Sequence, residues 1–173
     1  ADYDAEVLGS VLNMMFHQLM NEKIYNINQL NHYQDMNSTY KLVYPYHVTM
    51  LAKNKTGLRN MFKLITEANT TYFHDEARLP KELVQQYHEG ILIGSSCYKS
   101  EVFEACMNSD DQKLDELIDF YDYIEIQPLE DYQHLIERGS IENIENLKKS
   151  IRRLIDHAKA KGKLVVATGD VHF

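Results

Sequence analysis

Short apolar runs alternate with amphipathic helical stretches through most of this chain, and this alternation is the feature that most limits its fold. The runs recur at intervals of roughly 30–45 residues, which is typical of a parallel sheet with helical crossovers. Four such units are too few for a closed eight-stranded barrel, but they fit half of one or an open doubly wound sheet. We therefore predict an α/β fold. The predicted strands are His47–Ala52, Ile91–Ser95, Tyr123–Gln127 and Leu164–Ala167, and the predicted helices are 56–68, 81–88, 99–107, 111–120 and 141–161.

The region before these units has a different character. Residues 4–22 carry apolar side chains at helical spacing, with Asp4 as the N-cap, and we predict one helix packed on its apolar side. Residues 23–46 are polar and rich in Asn, which is the composition of a linker or a domain boundary.

Charge and composition narrow the function. The formal net charge is −8 and the isoelectric point is about 5.4. This argues against a nucleic-acid groove on this chain alone, because phosphate binding needs clustered Lys and Arg. No apolar run reaches transmembrane length, and the acidic start lacks both a signal peptide and an initiator Met, so we expect a piece of something longer. Two cysteines make no disulfide framework, and we expect both to be reduced in the cytosol.

Candidate metal ligands follow two of the predicted strands. Asp170 and His172 come shortly after the last strand, and if they continue that strand, its two-residue period places both side chains on one face. A carboxylate and an imidazole at that spacing suit a divalent metal, although an ordinary strand end explains the pair equally well. Cys97 follows the second strand and could reach the same metal or be a small buried side chain. Cys106, inside a helix, fits only the buried interpretation.

Other polar groups carry weaker signals. His47 opens its strand, whereas ligands in a parallel sheet gather at the carboxyl ends, so its position argues against a metal role. The remaining histidines, on helices or in polar loops, look solvated, and Ser109–Asp111 should cap a helix. The basic stripe on the last helix fits a solvated face, with a nucleic-acid contact as the alternative. The members of these two sets are His17, His32, His74, His88, His134 and His157, and Lys148, Lys149, Arg152 and Arg153.

Four segments together carry a family resemblance. They are YHVTMLAKNKTGL (46–58), ILIGSSC (91–97), FYDYIEIQP (120–128) and VVATGDVHF (165–173). In this order they resemble the PHP (polymerase and histidinol phosphatase) domain of bacterial replicative polymerases, most of all the PolC-type DNA polymerase III alpha subunit.

The resemblance implies a domain organisation. In that family a proofreading 3′–5′ exonuclease is inserted within the PHP domain, and its last motif ends like ADYDAE at residues 1–6. Asp4 would then be an exonuclease metal ligand, with magnesium or manganese as the metal. Residues 1–22 would be the end of the exonuclease, 23–44 a connecting segment, and 45–173 the second part of the PHP domain.

The resemblance also implies a metal site. The family's PHP domain is a distorted, TIM-like β/α barrel that holds a cluster of metals. His47, Cys97, Asp170 and His172 would be the ligands contributed by this part, with zinc or manganese bound. This implication reverses the argument from position against His47. The other ligands would come from upstream of the exonuclease, outside this sequence.

Three functions follow from these implications as alternatives. The PHP part is a structural metal-stabilised module of a DNA-directed DNA polymerase, a metal-dependent phosphoesterase acting on pyrophosphate or a DNA 3′ end, or an unrelated phosphatase of the histidinol-phosphate type. The exonuclease tail argues against the last. For the parent enzyme we expect a cytoplasmic protein with no membrane contact whose partners are DNA, dNTPs, the sliding clamp and the rest of the chain. We expect this segment alone neither to polymerise nor to proofread.

Overall fold

The computed structural model describes residues 2–27, 29–30, 40–41 and 43–169. The chain divides into two compact units, Ala1–Val43 and Tyr44–Phe173. No helix in these ranges is both long enough and apolar enough to span a membrane.

The first unit is dominated by helix α1, Asp2–Asn21. The helix ends where Lys23 takes a left-handed backbone conformation (φ 61°) and Ile24 N donates to Leu19 O at 2.9 Å. The predicted helix is confirmed, but Asp4 lies in its first turn and is not the N-cap. The expected packing of its apolar side is not met, since Leu8 is 69% exposed and Phe16 52%. Among the described residues of this unit, one helix with short flanking pieces supplies no second layer to cover that side.

The second unit contains a four-stranded sheet. Its strands, in spatial order, are β1 (Thr49–Ala52), β4 (Ile91–Gly94), β5 (Tyr123–Ile126) and β6 (Leu164–Ala167). Strands β4, β5 and β6 are parallel, but β1 is antiparallel to β4. The predicted strand positions are confirmed to within two residues, while the prediction of a wholly parallel sheet is wrong. The connection from β1 to β4 holds two helices and a small hairpin, so it is not the single-helix crossover that a parallel pair uses. The elements are β1 Thr49–Ala52, α2 Lys55–Asn69, β2 Phe73–His74, β3 Glu76–Ala77, α3 Lys81–Gln86, β4 Ile91–Gly94, α4 Glu101–Asn108, α5 Asp111–Ile118, β5 Tyr123–Ile126, a 3-10 turn Leu129–Tyr132, α6 Gln133–Glu137, α7 Ile144–Ala160 and β6 Leu164–Ala167.

Side-chain caps fix where the helices begin. Asn54 accepts from Gly57 N at 2.9 Å, so α2 begins at Lys55, one residue before the predicted start at 56. Pro80 precedes α3, and Asp110 accepts from Lys113 N at 2.8 Å at the start of α5, which confirms the capping role predicted for Ser109–Asp111.

The two faces of the sheet differ. Met50, Ile93, Ile124 and Val165 share one face, which packs against α2, α4 and α7 to form the core. Cys106 of α4 lies in this core, 2% exposed, and burial raises the pKa of its thiol to about 12. The buried interpretation of Cys106 is therefore confirmed.

The opposite face is open among the described residues. Leu51 is 50% exposed and Leu164 66% exposed, although both lie in the sheet. The half-buried Tyr123 shares this face, since it pairs with Leu164 across β5 and β6. The sheet thus has one packed layer and one face without apolar cover.

Four histidines predicted to be solvated are instead partly buried. His74 lies beside its neighbour Asp75, and the other three make contacts with residues distant in the sequence. His88 Nε2 lies 2.7 Å from Asp122 Oδ2, and His157 Nδ1 lies 2.7 Å from Asp115 Oδ1. The ring of His134 packs edge-on against Tyr98, with 4.4 Å between centroids. Their partners are 34 or more residues away in sequence, so helical spacing alone could not reveal them. His17 is exposed as predicted, and His32 lies outside the described residues.

Arg153 is the exception in the basic stripe of α7. Its guanidinium donates to Cys106 O and Ser109 O, both at 2.9 Å, and to Asp111 Oδ1 at 2.6 Å. These bonds join α7 to the end of α4 and the start of α5. Lys148, Lys149 and Arg152 are exposed, in agreement with the solvated-face interpretation.

Replacing Arg153 with Ala should lower the free energy of unfolding by about 1–3 kcal/mol, because two carbonyl groups and one carboxylate lose a charged donor. Urea unfolding measures this loss. Arg152→Ala, one residue away on the exposed side, is the control and should change stability little. Equal stability of the two variants would contradict the linking role.

Asp122 should make stability depend on pH. Burial favours the neutral acid, but the hydrogen bonds from His88 and from Ile93 N outweigh it and lower the pKa of Asp122. Since the folded-state pKa is below the unfolded value, the stabilisation is full above the unfolded pKa and is lost as pH falls towards the folded one.

Comparison of Asp122→Asn with the parent protein by urea unfolding tests this sign. The stability difference between them should be largest near neutral pH and shrink below about pH 4. The exposed Asp156→Asn variant should show no such trend. A difference that grows on acidification would contradict the assignment.

Candidate metal centre

The antiparallel direction of β1 brings its first residues to the carboxyl ends of the other three strands. Thr49, which opens β1, pairs with Gly94, which closes β4. His47 lies two residues before β1, so it reaches the same edge as the chain leaving β4. The positional argument against His47 assumed a parallel β1 and is therefore wrong.

His47 and Cys97 meet at this edge. The Nδ1 atom of His47 lies 3.4 Å from Cys97 Sγ, and His47 N donates to Lys99 O at 3.1 Å. Cys97 belongs to the turn before α4, where its carbonyl accepts from Ser100 N at 2.9 Å and Ser100 caps the helix. Backbone hydrogen bonds therefore hold in place the segments that carry His47 and Cys97. His47 is exposed and Cys97 half-buried, which leaves the pair accessible to a ligand.

The spacing of this pair fits zinc. A tetrahedral zinc with S and N ligands at about 2.3 and 2.0–2.1 Å separates those two atoms by about 3.5 Å. The measured 3.4 Å fits two adjacent positions of such a site, and it also allows a thiol–imidazole hydrogen bond. Within the part of the chain that the structure describes, no group of three or more His, Cys, Asp or Glu side chains is arranged for a metal. Asp170 and His172 lie outside the described residues, so their role stays a prediction.

A second layer of polar contacts lies behind Cys97. Glu125 N donates to Ser95 Oγ at 2.8 Å, and Ser96 N donates to Glu125 Oε1 at 3.1 Å. Ser96 adopts a left-handed backbone conformation, with φ 62°. Burial together with the negative charge of the Glu125 carboxylate raises the pKa of Tyr123 to about 12.

Gly94 makes room for this layer. A Cβ at Gly94 would collide with the Tyr123 ring and lie 2.5 Å from Glu125 Oε1. Sequence reasoning did not identify Ser96, Tyr123 or Glu125. The available signal was a charged residue inside an otherwise apolar strand, Tyr123–Ile126, but its partner across the sheet could not be read from the sequence.

Asp4, the predicted exonuclease ligand, lies in the first unit near the start of α1 and is exposed. None of the described contacts tests its role.

The class of protein to which this chain belongs follows from comparison with known families. The PHP domain model matches residues 8–165, and the chain therefore belongs to the PHP domain family.

Comparison with individual proteins narrows this class. Over its whole length the chain is 39% identical to the DNA polymerase III PolC-type of Oceanobacillus iheyensis, 37% identical to that of Bacillus subtilis and 35% identical to that of Staphylococcus aureus. The chain spans 12% of the length of each of these relatives. The resemblance to the PolC-type polymerase predicted from the four segments is confirmed.

Substituting Gly94 with Ala should displace the Tyr123 and Glu125 side chains and destabilise the second unit by about 1–3 kcal/mol, the usual cost of overpacking. Urea unfolding followed by tyrosine fluorescence measures this. In the control Gly9→Ala the added methyl group meets nothing within 4 Å. If Gly94→Ala is as stable as the parent protein, the close approach described here is wrong.

Proposed function

We propose that this chain is the PHP module of a PolC-type replicative DNA polymerase and that its strand edge holds a divalent metal with a structural role. The observation that carries the metal assignment is the 3.4 Å approach of His47 Nδ1 to Cys97 Sγ at the carboxyl edge of the sheet. Similarity to three PolC-type polymerases over the whole chain supports the parent enzyme.

The proposed ligands from this chain are His47, Cys97, Asp170 and His172. Thiolate and imidazole together favour zinc over harder ions, and manganese remains the alternative if carboxylates dominate the complete site. The remaining ligands would come from the part of the PHP domain that precedes the exonuclease. When bound, the metal would crosslink the segments around it, while Cys97 and His47 supply one negative and one neutral ligand.

We also propose that the sheet is part of a TIM-like barrel. The open face supports this, because exposed Leu51 and Leu164 call for further strands or helices of the same domain to cover them. The last residue of β4 pairs with the first of β5, a stagger of the kind that barrel closure uses.

The proposed domain division is 1–22 for the end of the exonuclease, 23–44 for the connecting segment and 45–173 for the PHP part. The boundary between the two compact units, at Val43 and Tyr44, supports the second division. Asp4 would bind a magnesium or manganese ion of the exonuclease site.

The parent enzyme would extend DNA from dNTPs and proofread it by metal-assisted hydrolysis. Its partners would be DNA, the sliding clamp and the rest of the polymerase chain, and work on the bacterial chromosome would place it in the cytoplasm. The segment described here contributes neither activity on its own in this proposal. The named relatives are polymerases, so the comparisons do not favour a separate phosphatase.

The metal site is tested by measuring zinc binding to the full-length polymerase chain, in which the remaining proposed ligands are present. His47→Ala and Cys97→Ser should each weaken zinc binding by more than about 100-fold, beyond what loss of an outer-shell partner causes, and lower the midpoint of thermal unfolding. Competition with a chromophoric chelator measures the affinity. The control is His17→Ala, on the exposed surface of α1.

Unchanged zinc binding in both variants would contradict the metal assignment. Two results together would overturn the structural role in favour of a phosphoesterase. They are metal-dependent release of phosphate from pyrophosphate or from a DNA 3′ phosphate by the unsubstituted protein, and loss of that release in both variants.

A further inference from the structure

We propose that Glu125 is a positioning residue for the metal-binding thiol of Cys97 and that it acts through the backbone of Ser96. This inference rests on the metal site proposed above. Glu125 lies on β5, on the open face of the sheet, whereas Cys97 lies in the turn that follows β4.

Glu125 holds the segment before Cys97 at two points. Its backbone N–H donates to Ser95 Oγ at 2.8 Å, while its carboxylate accepts from Ser96 N at 3.1 Å. The two bonds join β5 to the chain that has just left β4, where the strand pairing at Gly94 and Tyr123 has ended. They take the place of the ladder bonds that would otherwise continue along the strand.

Ser96 needs this support because of its conformation. Its φ of 62° lies in the left-handed region, which glycine adopts readily and which a residue with a Cβ adopts at an energetic cost. Such a conformation persists where the surrounding contacts determine it. The carboxylate of Glu125 supplies the contact made directly to the Ser96 N–H.

The carboxylate lies in a defined place on the sheet. Tyr123 is its neighbour on the same face of β5, and the missing side chain of Gly94 leaves the space that both occupy. Tyr123 and Glu125 therefore pack side by side over Gly94.

The consequence falls on Cys97, the next residue. The backbone angles of Ser96 set the direction in which the Cys97 side chain leaves the chain, and with it the 3.4 Å approach of Sγ to His47 Nδ1. Without the Glu125 contact, Ser96 would relax to a negative φ and the two ligands would separate.

The first experiment measures the zinc affinity of the full-length polymerase chain by competition with a chelator. Glu125→Ala should weaken zinc binding by about 10–100-fold, the usual effect of removing an outer-shell partner. Glu125→Gln keeps an oxygen acceptor for Ser96 N and should stay within about threefold of the parent. Glu130→Ala, an exposed carboxylate just beyond β5, is the matched control and should bind like the parent.

The second experiment separates positioning from general loss of folding. Ser96→Gly removes the cost of a positive φ, so the double variant Glu125→Ala with Ser96→Gly should recover at least tenfold of the lost zinc affinity, or all of it if the loss is smaller. Urea unfolding confirms that each variant is folded. Parent-like affinity of Glu125→Ala, or a folded double variant with no recovery, would overturn the inference.

The third experiment uses metal-free protein, so that failure of the metal site and failure of this inference give different results. The rate of Cys97 alkylation by iodoacetamide, quantified by peptide mass spectrometry, should change in His47→Ala and change similarly in Glu125→Ala, because both take the imidazole away from the thiol. Cys106 is an internal reference, since it is 2% exposed and the pKa of its thiol is raised to about 12.

If the unsubstituted protein binds no zinc, yet both variants change the alkylation rate alike, the proposed metal function fails and the positioning role of Glu125 stands. If His47→Ala loses zinc and changes the alkylation rate while Glu125→Ala does neither, the positioning role fails and the metal site stands.

Discussion

The antiparallel pairing of β1 with β4 determines which segments of this chain can meet. Because Thr49 pairs with Gly94, the chain that enters β1 and the chain that leaves β4 lie at one edge. With a parallel β1, His47 would lie at the far end of its strand, roughly 13 Å or more away at about 3.3 Å per residue. The contact between His47 and Cys97 therefore depends on strand direction more than on any single side chain near it.

That edge is held in place by packing on one side of the sheet. Helices α2, α4 and α7 pack on the apolar face, and Arg153 joins α7 to α4 and α5 through two backbone carbonyls and Asp111. Asp122 joins the start of β5 to β4 and to His88 just before β4, because its carboxylate bonds to Ile93 N and to the His88 ring. Polar contacts of this kind orient the elements, while the buried aliphatic side chains supply most of the favourable free energy.

Sequence patterns predicted the features that depend on neighbouring side chains along the chain, above all the positions of the strands. The strands at Ile91–Gly94 and Leu164–Ala167 are short β-branched runs, and their positions were predicted to within a residue. The direction of β1 depends on the whole connection to β4, which periodicity does not encode. Partners such as Asp122 for His88 lie 34 residues apart and become visible only in the fold. At the site, the end of β4 indicated Cys97, whereas His47 came from the family resemblance alone.

The wide separation of His47 and Cys97 along the chain also sets the order in which the edge can form. The two residues are 50 positions apart, so their contact closes a long loop and contributes to a high contact order. During synthesis His47 emerges well before Cys97 exists. An ion captured early would have a single imidazole from this pair, and two-point binding has to wait until β4 has emerged and paired with β1.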